Sequence, residues 1–352
     1  MKLQKLRNEM AEQNIEALLV TSSYNLRYIT NFTGSAGLAL VTKDRAFFIT
    51  DFRYTEQASE QVTEFEVVQA KTNLLEEAAE KAKELGIKAL AFEQDYVTYS
   101  SYLQYKEKLA AELEPVSGLI EKIRMIKTPE EVEILKAAAK IADDAFEHIC
   151  GFIKAGQTEL EISNELEFFM RKQGATSSSF DTIVASGHRS ALPHGVATDK
   201  IVEQGDMITL DYGALYNGYI SDITRTVAVG EPSEKMKEIY QIVLDSQLLG
   251  VEKIGPGMTG IEADAIARDY IKSKGYGEAF GHSTGHGIGL EVHEGPGLSF
   301  KSQTVLEPGM AVTVEPGIYL PGIGGVRIED DILITESGNV RLTNSTKELR
   351  IL

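Results

Sequence analysis

The sequence predicts two domains in series, an α/β domain over residues 1–124 and an α+β domain over residues 125–352 that carries an internal pseudo-twofold repeat. Three observations predict this. A chain of 352 residues, 43 % of them hydrophobic, has material for two packed cores. The first ~120 residues alternate apolar strand-like runs with charged helical stretches, the rhythm of a layered α/β domain. The second half contains two similar segments, each a helix followed by a strand.

The elements follow in order. MKLQKLRNEMAEQNIEALLV opens as a polar amphipathic helix rather than a signal peptide and runs into the strand-like EALLV. GLALVTKDRAFFIT and IKALAFE are further strand-like runs, and LLEEAAEKAKELG between them is a charged helix stopped by glycine. No apolar run approaches the ~20 residues of a membrane span, so cytoplasm is the expected compartment. The formal charge of -18, from 35 basic and 53 acidic residues, argues against nucleic acid or an anionic membrane as partner. A single cysteine, Cys150, excludes an internal disulfide, and its apolar helical setting reads as core.

At MIKTPEEVEILKAAAKIADDAF the second domain opens: Thr128 caps a helix, Pro129 fits its first turn, and Glu131 closes a capping box. Residues 153–174 then reappear as 254–275. Both copies space Gly, Thr and Glu equally (Gly156, Thr158, Glu161; Gly257, Thr259, Glu262), which predicts the same capped helix twice. The match continues from VEQGDMITLDYG to LEPGMAVTVEPG, superposing Asp211 on Glu315 and leaving Asp222 near the counterpart of Glu329. A duplicated half-domain brings two carboxylates from each copy to one centre.

These acids are out of place in apolar strands, where an unpaired charge is desolvated. Asn217-Gly218 is a hairpin signal; as the turn, it pairs Gly213 with Asp222 and sets Asp211 diagonal to Asp222 on one face. Arg225 has the wrong parity to neutralise them, which favours a bound cation. Taken singly, each acid reads as a buried carboxylate held by an arginine or by amides; four at matching places in a repeat favour metal. GHSTGHGIGLEVHEGPG adds His282, His286 and His293 among glycines that permit close backbone approach. Their spacing also fits a histidine-rich zinc site, but no HExxH helix is present. Carboxylates with imidazole make a hard shell suited to Mn, Co, Fe or Zn.

At these residues the sequence resembles the metallopeptidases of the pita-bread fold (family M24), which include prolidase, aminopeptidase P and methionine aminopeptidase. NLRYITNFTGS and FFITDFRYTEQA resemble the creatinase/prolidase N-terminal domain, which methionine aminopeptidases lack, pointing to the proline-directed branch. The resemblance implies an α/β creatinase/prolidase-like domain over 1–124 and a pita-bread catalytic domain over 125–352. It places metal ligands on Asp211, Asp222, His286, Glu315 and Glu329, and catalytic or substrate histidines on His194, His293 and His282. Two divalent metals are expected, manganese first, with cobalt, zinc or iron as alternatives.

The expected reaction is hydrolysis of the bond before proline by a hydroxide bridging the two metals, since paired cations bring a bound water's pKa from about 15.7 toward about 7. Glu315 could accept the water's proton, and His194 and His293 would position substrate. Arg327, on the strand face of Glu329, orients a carboxylate, binds substrate or makes a supporting salt bridge. His148 and His188 read as structural. An Xaa-Pro dipeptidase (prolidase) is expected, with an Xaa-Pro aminopeptidase acting on longer peptides as the alternative. A metal-free creatinase-like hydrolase and a non-catalytic peptide-binding relative are disfavoured by the complete ligand set. The resemblance also implies a homodimer whose other partners are proline-containing di- or oligopeptides.

Overall fold

The computed structural model describes residues 2–352 and divides into two compact units, one ending at Arg124 and one spanning Met125–Leu352. In the first unit a six-stranded mixed sheet runs, in spatial order, Glu66–Gln69, Ala46–Thr50, Leu38–Thr42, Ala17–Val20, Ala89–Glu93 and Glu112–Val116. The opening helix Lys2–Glu12 buries Leu3, Leu6 and Met10, as its amphipathic spacing requires. GLALVTKDRAFFIT, which reads as one apolar run, is two antiparallel strands. The polar Lys43-Asp44-Arg45 turns the chain, and Thr42 Oγ1 accepts from the Arg45 amide at 3.0 Å. The edge strands Glu66–Gln69 and Glu112–Val116 carry no continuous apolar run and were not legible, because they are only half covered.

In the second unit Pro129–Cys150 is the long opening helix, with the Thr128/Glu131 capping box formed in both directions. Cys150 is half-buried at the margin of the core rather than within it. The repeat is real in three dimensions. Glu159–Lys172 and Gly260–Ser273 are both 14-residue helices opened by capping boxes, Thr158/Glu161 and Thr259/Glu262. Each cap residue also bridges an antiparallel segment of its own half, Thr158 to Ile201 and Thr259 to Val305.

The first half supplies a sheet ordered Ile223–Ala228, Met207–Tyr212, Ile183–Ser186. The second supplies one ordered Glu294–Leu298, Gly285–Gly287, Ala311–Val314, Asp330–Thr335, Gly338–Arg341. Helices cover one face of each. Ile208, Leu210 and Tyr212 join Ile149, Ile162, Leu166 and Met170 in one core, and Val312, Val314, Ile332 and Ile334 join Ile254 and Ala263 in another. Side chains alternate along a strand, so the neighbouring residues Thr209, Asp211, Thr313 and Asp331 must face the opposite way. The halves meet along that face, where the Glu329 amide donates to Thr224 O at 3.1 Å and Thr226 Oγ1 donates to Arg327 O at 2.9 Å.

Candidate active site

The Asn217-Gly218 turn sets the first carboxylate pair. Tyr216 pairs with Tyr219, and the same register continues to Asp211 opposite Thr224, which puts Asp211 and Asp222 on a cross-strand diagonal. Gly213 lies at the crossing: a Cβ there would meet Ser221 O at 1.7 Å, so only glycine lets the strands approach. In the second half Val314 pairs with Asp330 and Gly317 with Arg327, which sets Glu315 against Glu329. His286 comes from a strand whose flanking glycines are likewise pressed on backbone, Gly285 on Thr313 O and Gly287 on Gly295 O.

These side chains line one cavity of about 580 Å3 together with His194, His282, His293 and Arg327. Every site residue expected from the sequence is therefore in one place. His188 is exposed outside it, and His148 is occupied by Glu165 at 2.6 Å and stacked on Phe169. Phe180, Ile183, Pro193, Val196 and Val292 form an apolar wall that the sequence did not announce.

The electrostatics of the protein groups alone are repulsive. Burial raises the carboxyl of Asp222 well above the usual range, and Glu329, Asp211, Asp331 and Glu315 add to it. Burial likewise raises Glu329, with Glu315 and Asp211 contributing, and pushes Glu315 up to about 8. Asp211 Oδ1 and Asp222 Oδ1 are buried with no hydrogen-bond partner among the described residues. His286 Nδ1 faces Gly287 O at 3.1 Å; a carbonyl can only accept, so this nitrogen carries the proton. The bare Nε2 is turned on Glu315 Oε1 at 3.3 Å and Asp222 Oδ2 at 3.8 Å, lone pair against carboxylate, while burial depresses the imidazole's pKa. Atoms of Asp222, His286 and Glu329 lie within 4.8 Å of one another. Buried carboxylates with orphaned oxygens beside that trio are what a divalent cation satisfies, and the donor set is of the hard oxygen and nitrogen type; Asp211 and Glu315 line the same cavity outside the trio.

Arg327 answers a question the sequence left open. It is 3 % exposed, and its Nη2 donates to Asp211 Oδ2 at 2.5 Å. An arginine does neutralise part of the acidic pair, but it comes from the other half rather than from the neighbouring strand. Arg225 points to the opposite face, where it binds Asp330, Ser345 O and Thr346 O.

Sequence reasoning missed Tyr319. Its hydroxyl accepts from Arg327 Nη1 and reaches His282 Nε2, both at 2.8 Å, while His282 Nδ1 faces Ser283 O at 2.8 Å. Both nitrogens of His282 are thus engaged, so it holds Tyr319 rather than presenting a free donor beside His194 and His293. The signal for Tyr319 was the hairpin register: it pairs with Gly325, diagonal to Arg327. Supporting bonds also escaped notice, namely Thr224 Oγ1 to Glu329 Oε2 at 2.6 Å and the Asp222 amide to Asp331 Oδ2 at 2.9 Å.

Residues 133–336 match the metallopeptidase family M24, and residues 2–126 match the creatinase/prolidase N-terminal domain. The chain is 65 % identical to the solved Xaa-Pro dipeptidase from Bacillus anthracis, with a TM-score of 0.98 over 100 % of this chain and 99 % of that one. It is 44 % identical to an Xaa-Pro dipeptidase of Pyrococcus furiosus, covering 99 % of both. The X-Pro aminopeptidase structure from Thermotoga maritima is 41 % identical, with a TM-score of 0.92 over 98 % of this chain and 100 % of that one. A duplicated half-domain whose carboxylates and histidine converge on one cavity, following a creatinase/prolidase-type domain in the sequence, thus has its place among known enzymes: the chain belongs to metallopeptidase family M24 and has the pita-bread fold.

Proposed function

We propose that this enzyme hydrolyses the peptide bond preceding proline, as an Xaa-Pro dipeptidase, with two divalent cations held by Asp211, Asp222, His286, Glu315 and Glu329. The observation that carries the proposal is the cavity, which joins four acids and an imidazole with Nε2 turned inward to an apolar wall. The 65 % identical solved relative is named an Xaa-Pro dipeptidase. The cations, manganese first and cobalt, zinc or iron otherwise, supply Lewis-acid polarisation of the scissile carbonyl and acidify a water toward about 7.

The remaining work falls to the chain's own groups. Glu315 accepts the attacking water's proton and passes it toward the leaving proline nitrogen. His194 and His293, both at the cavity and without a ring-nitrogen bond among those described, donate to the developing oxyanion and hold the substrate. Arg327 holds the Asp211 carboxylate in orientation, and Tyr319 with His282 keeps Arg327 in place. The apolar wall excludes water and receives the proline ring.

The alternative, an Xaa-Pro aminopeptidase acting on longer peptides, is favoured by the 41 % identical Thermotoga structure. The test is hydrolysis of an Xaa-Pro dipeptide beside an Xaa-Pro-Xaa tripeptide, with Mn, Co or Zn added and then chelated, and Asp222→Asn as control. Metal-dependent cleavage of the dipeptide alone supports the dipeptidase, and preference for the tripeptide moves the assignment to the aminopeptidase. No cleavage of either by metal-loaded protein overturns proline specificity.

A further inference from the structure

Each half-domain carries, outside the ligand set, a buried acid–arginine network that holds a loop bearing a cavity histidine. In the first, Glu159 opens the helix Glu159–Lys172 and is 0 % exposed. Its Oε1 accepts from the Ser186 amide at 2.8 Å and from Ser186 Oγ at 2.9 Å. Its Oε2 accepts from the Thr198 amide at 3.1 Å, from Thr198 Oγ1 at 2.9 Å and from Arg189 Nη1. Arg189 in turn donates through Nη2 to Val196 O at 2.9 Å. One carboxylate thus ties both ends of the segment 186–198, and its arginine ties the stretch between. His194 is carried on this segment, which is also held by the bridge of Ile183 to Val196, by the Gly325 amide donating to Ser190 Oγ at 2.8 Å and by the Leu160 amide donating to Thr198 O at 3.0 Å.

In the second half the acid is Asp264, 1 % exposed, on the helix Gly260–Ser273. Its Oδ1 accepts from the Thr284 amide at 2.9 Å, and its carboxylate pairs with Arg268 through Nε at 2.6 Å and Nη2 at 2.8 Å. Arg268 donates onward to Phe280 O at 3.1 Å and His282 O at 2.7 Å. The segment so held carries His282 and leads directly into His286. The logic is the same twice: a buried helix carboxylate takes loop amides, and an arginine paired with it takes loop carbonyls.

The residues are not counterparts in the repeat. The offset of the two helices puts Gly260 where Glu159 stands, and a Cβ at Gly260 would meet Gly297 O at 2.2 Å, so no glutamate fits there. The same offset puts Ser163 where Asp264 stands. Each half has reached the same device from a different position on its helix.

We infer that Glu159 with Arg189, and Asp264 with Arg268, are positioning residues that separately fix the two histidine loops of the active site. The inference rests on the catalytic reading for its effect on activity but not for its structural content. Arg189 and Arg268 are the residues to change, since each lies at the margin of its network, with side chains 16 % and 22 % exposed. The experiment is NMR of histidine side chains labelled with 13C at Cε1 in the full-length metal-loaded protein, beside kcat and KM on a proline dipeptide.

Arg189→Ala is expected to shift or broaden the His194 signal and leave those of His282 and His286 in place, and Arg268→Ala to do the reverse. Misplacing a substrate group by about 1 Å costs up to about 100-fold in rate, so Arg189→Ala is expected to lower kcat/KM by about 10- to 100-fold. Its effect should vanish in a His194→Ala background, because a positioning residue has nothing left to position. Arg189→Lys, which keeps the charge beside Glu159, is expected to recover part of the loss. Overturning results are equal perturbation of all three histidines by either variant, no perturbation by both, or an unchanged Arg189→Ala penalty without His194. If the wild type cleaves no proline peptide, the functional reading fails, and the crossed NMR pattern alone decides the inference.

Discussion

Replacing Arg327 by methionine tests the electrostatic account of the site. The guanidinium is 3 % exposed and makes three contacts: Asp211 Oδ2 at 2.5 Å, Tyr319 Oη at 2.8 Å and Thr224 Oγ1 at 3.2 Å. Breaking a buried pair by removing one partner costs about 3–5 kcal/mol, because the other charge is left uncompensated. Here Asp211 already has one orphaned oxygen, so Arg327→Met leaves the whole carboxylate bare. At about 2–4 °C per kcal/mol for a unit of this size, the metal-free variant should melt about 6–20 °C below metal-free wild type. With cations bound, the carboxylate regains a partner and the deficit should shrink. The difference between the two deficits must reappear as tighter metal binding by the variant, by about tenfold for each 1.4 kcal/mol, since the cycle closes. Calorimetric melting with and without chelator, alongside metal titration, measures every side of the cycle. A metal-free variant as stable as wild type, or a variant that binds metal more weakly, refutes the reasoning.

Four further outcomes are expected. Chelating the metal should lower the melting temperature by the equivalent of about 2.7 kcal/mol relative to protein at a hundredfold excess of metal over Kd, and Asp222→Asn should abolish that shift. In the first unit, burial raises the carboxyl of Glu93, which accepts from the Thr21 and Ser22 amides at 2.6 and 2.8 Å. The folded state then holds its proton to higher pH than the unfolded chain, so stability falls as pH rises from the unfolded value toward the raised folded one; Glu93→Gln should flatten that slope in urea denaturation across acidic pH. Thr158→Ala and Thr259→Ala should each cost about 0.5–2 kcal/mol in denaturant midpoint through the lost caps, and a loss at only one site would contradict the symmetry of the repeat. Light scattering should find a homodimer; a monomer at working concentration removes that expectation.

Local features were legible because their causes lie within a few residues. The capping boxes at Thr128, Thr158 and Thr259 are each written in four consecutive residues, and all three form. Asn217-Gly218 specifies a two-residue turn, and that turn sets the Asp211–Asp222 diagonal. The repeat was legible because two copies at one offset carry equal spacing. The boundary within GLALVTKDRAFFIT was hidden because only three polar residues interrupt the run, and the edge strands were hidden because half-covered strands need no apolar pattern.

What the sequence by itself determined is the inventory: two half-domains, four carboxylates at matching places, an imidazole among glycines, and hence the chemistry those groups share. What only the tertiary structure decided is who partners whom. Asp211 meets Arg327 across 116 residues, Asp222 receives its support from Asp331 across 109, and Glu159 holds Thr198 across 39. The charge of a carboxylate is visible in one letter, whereas its neutralisation depends on which strands pack face to face. No periodicity within either partner records that pairing, because hydrogen bonds and ion pairs are set by proximity in space, and proximity between distant segments follows from burying both helical layers at once.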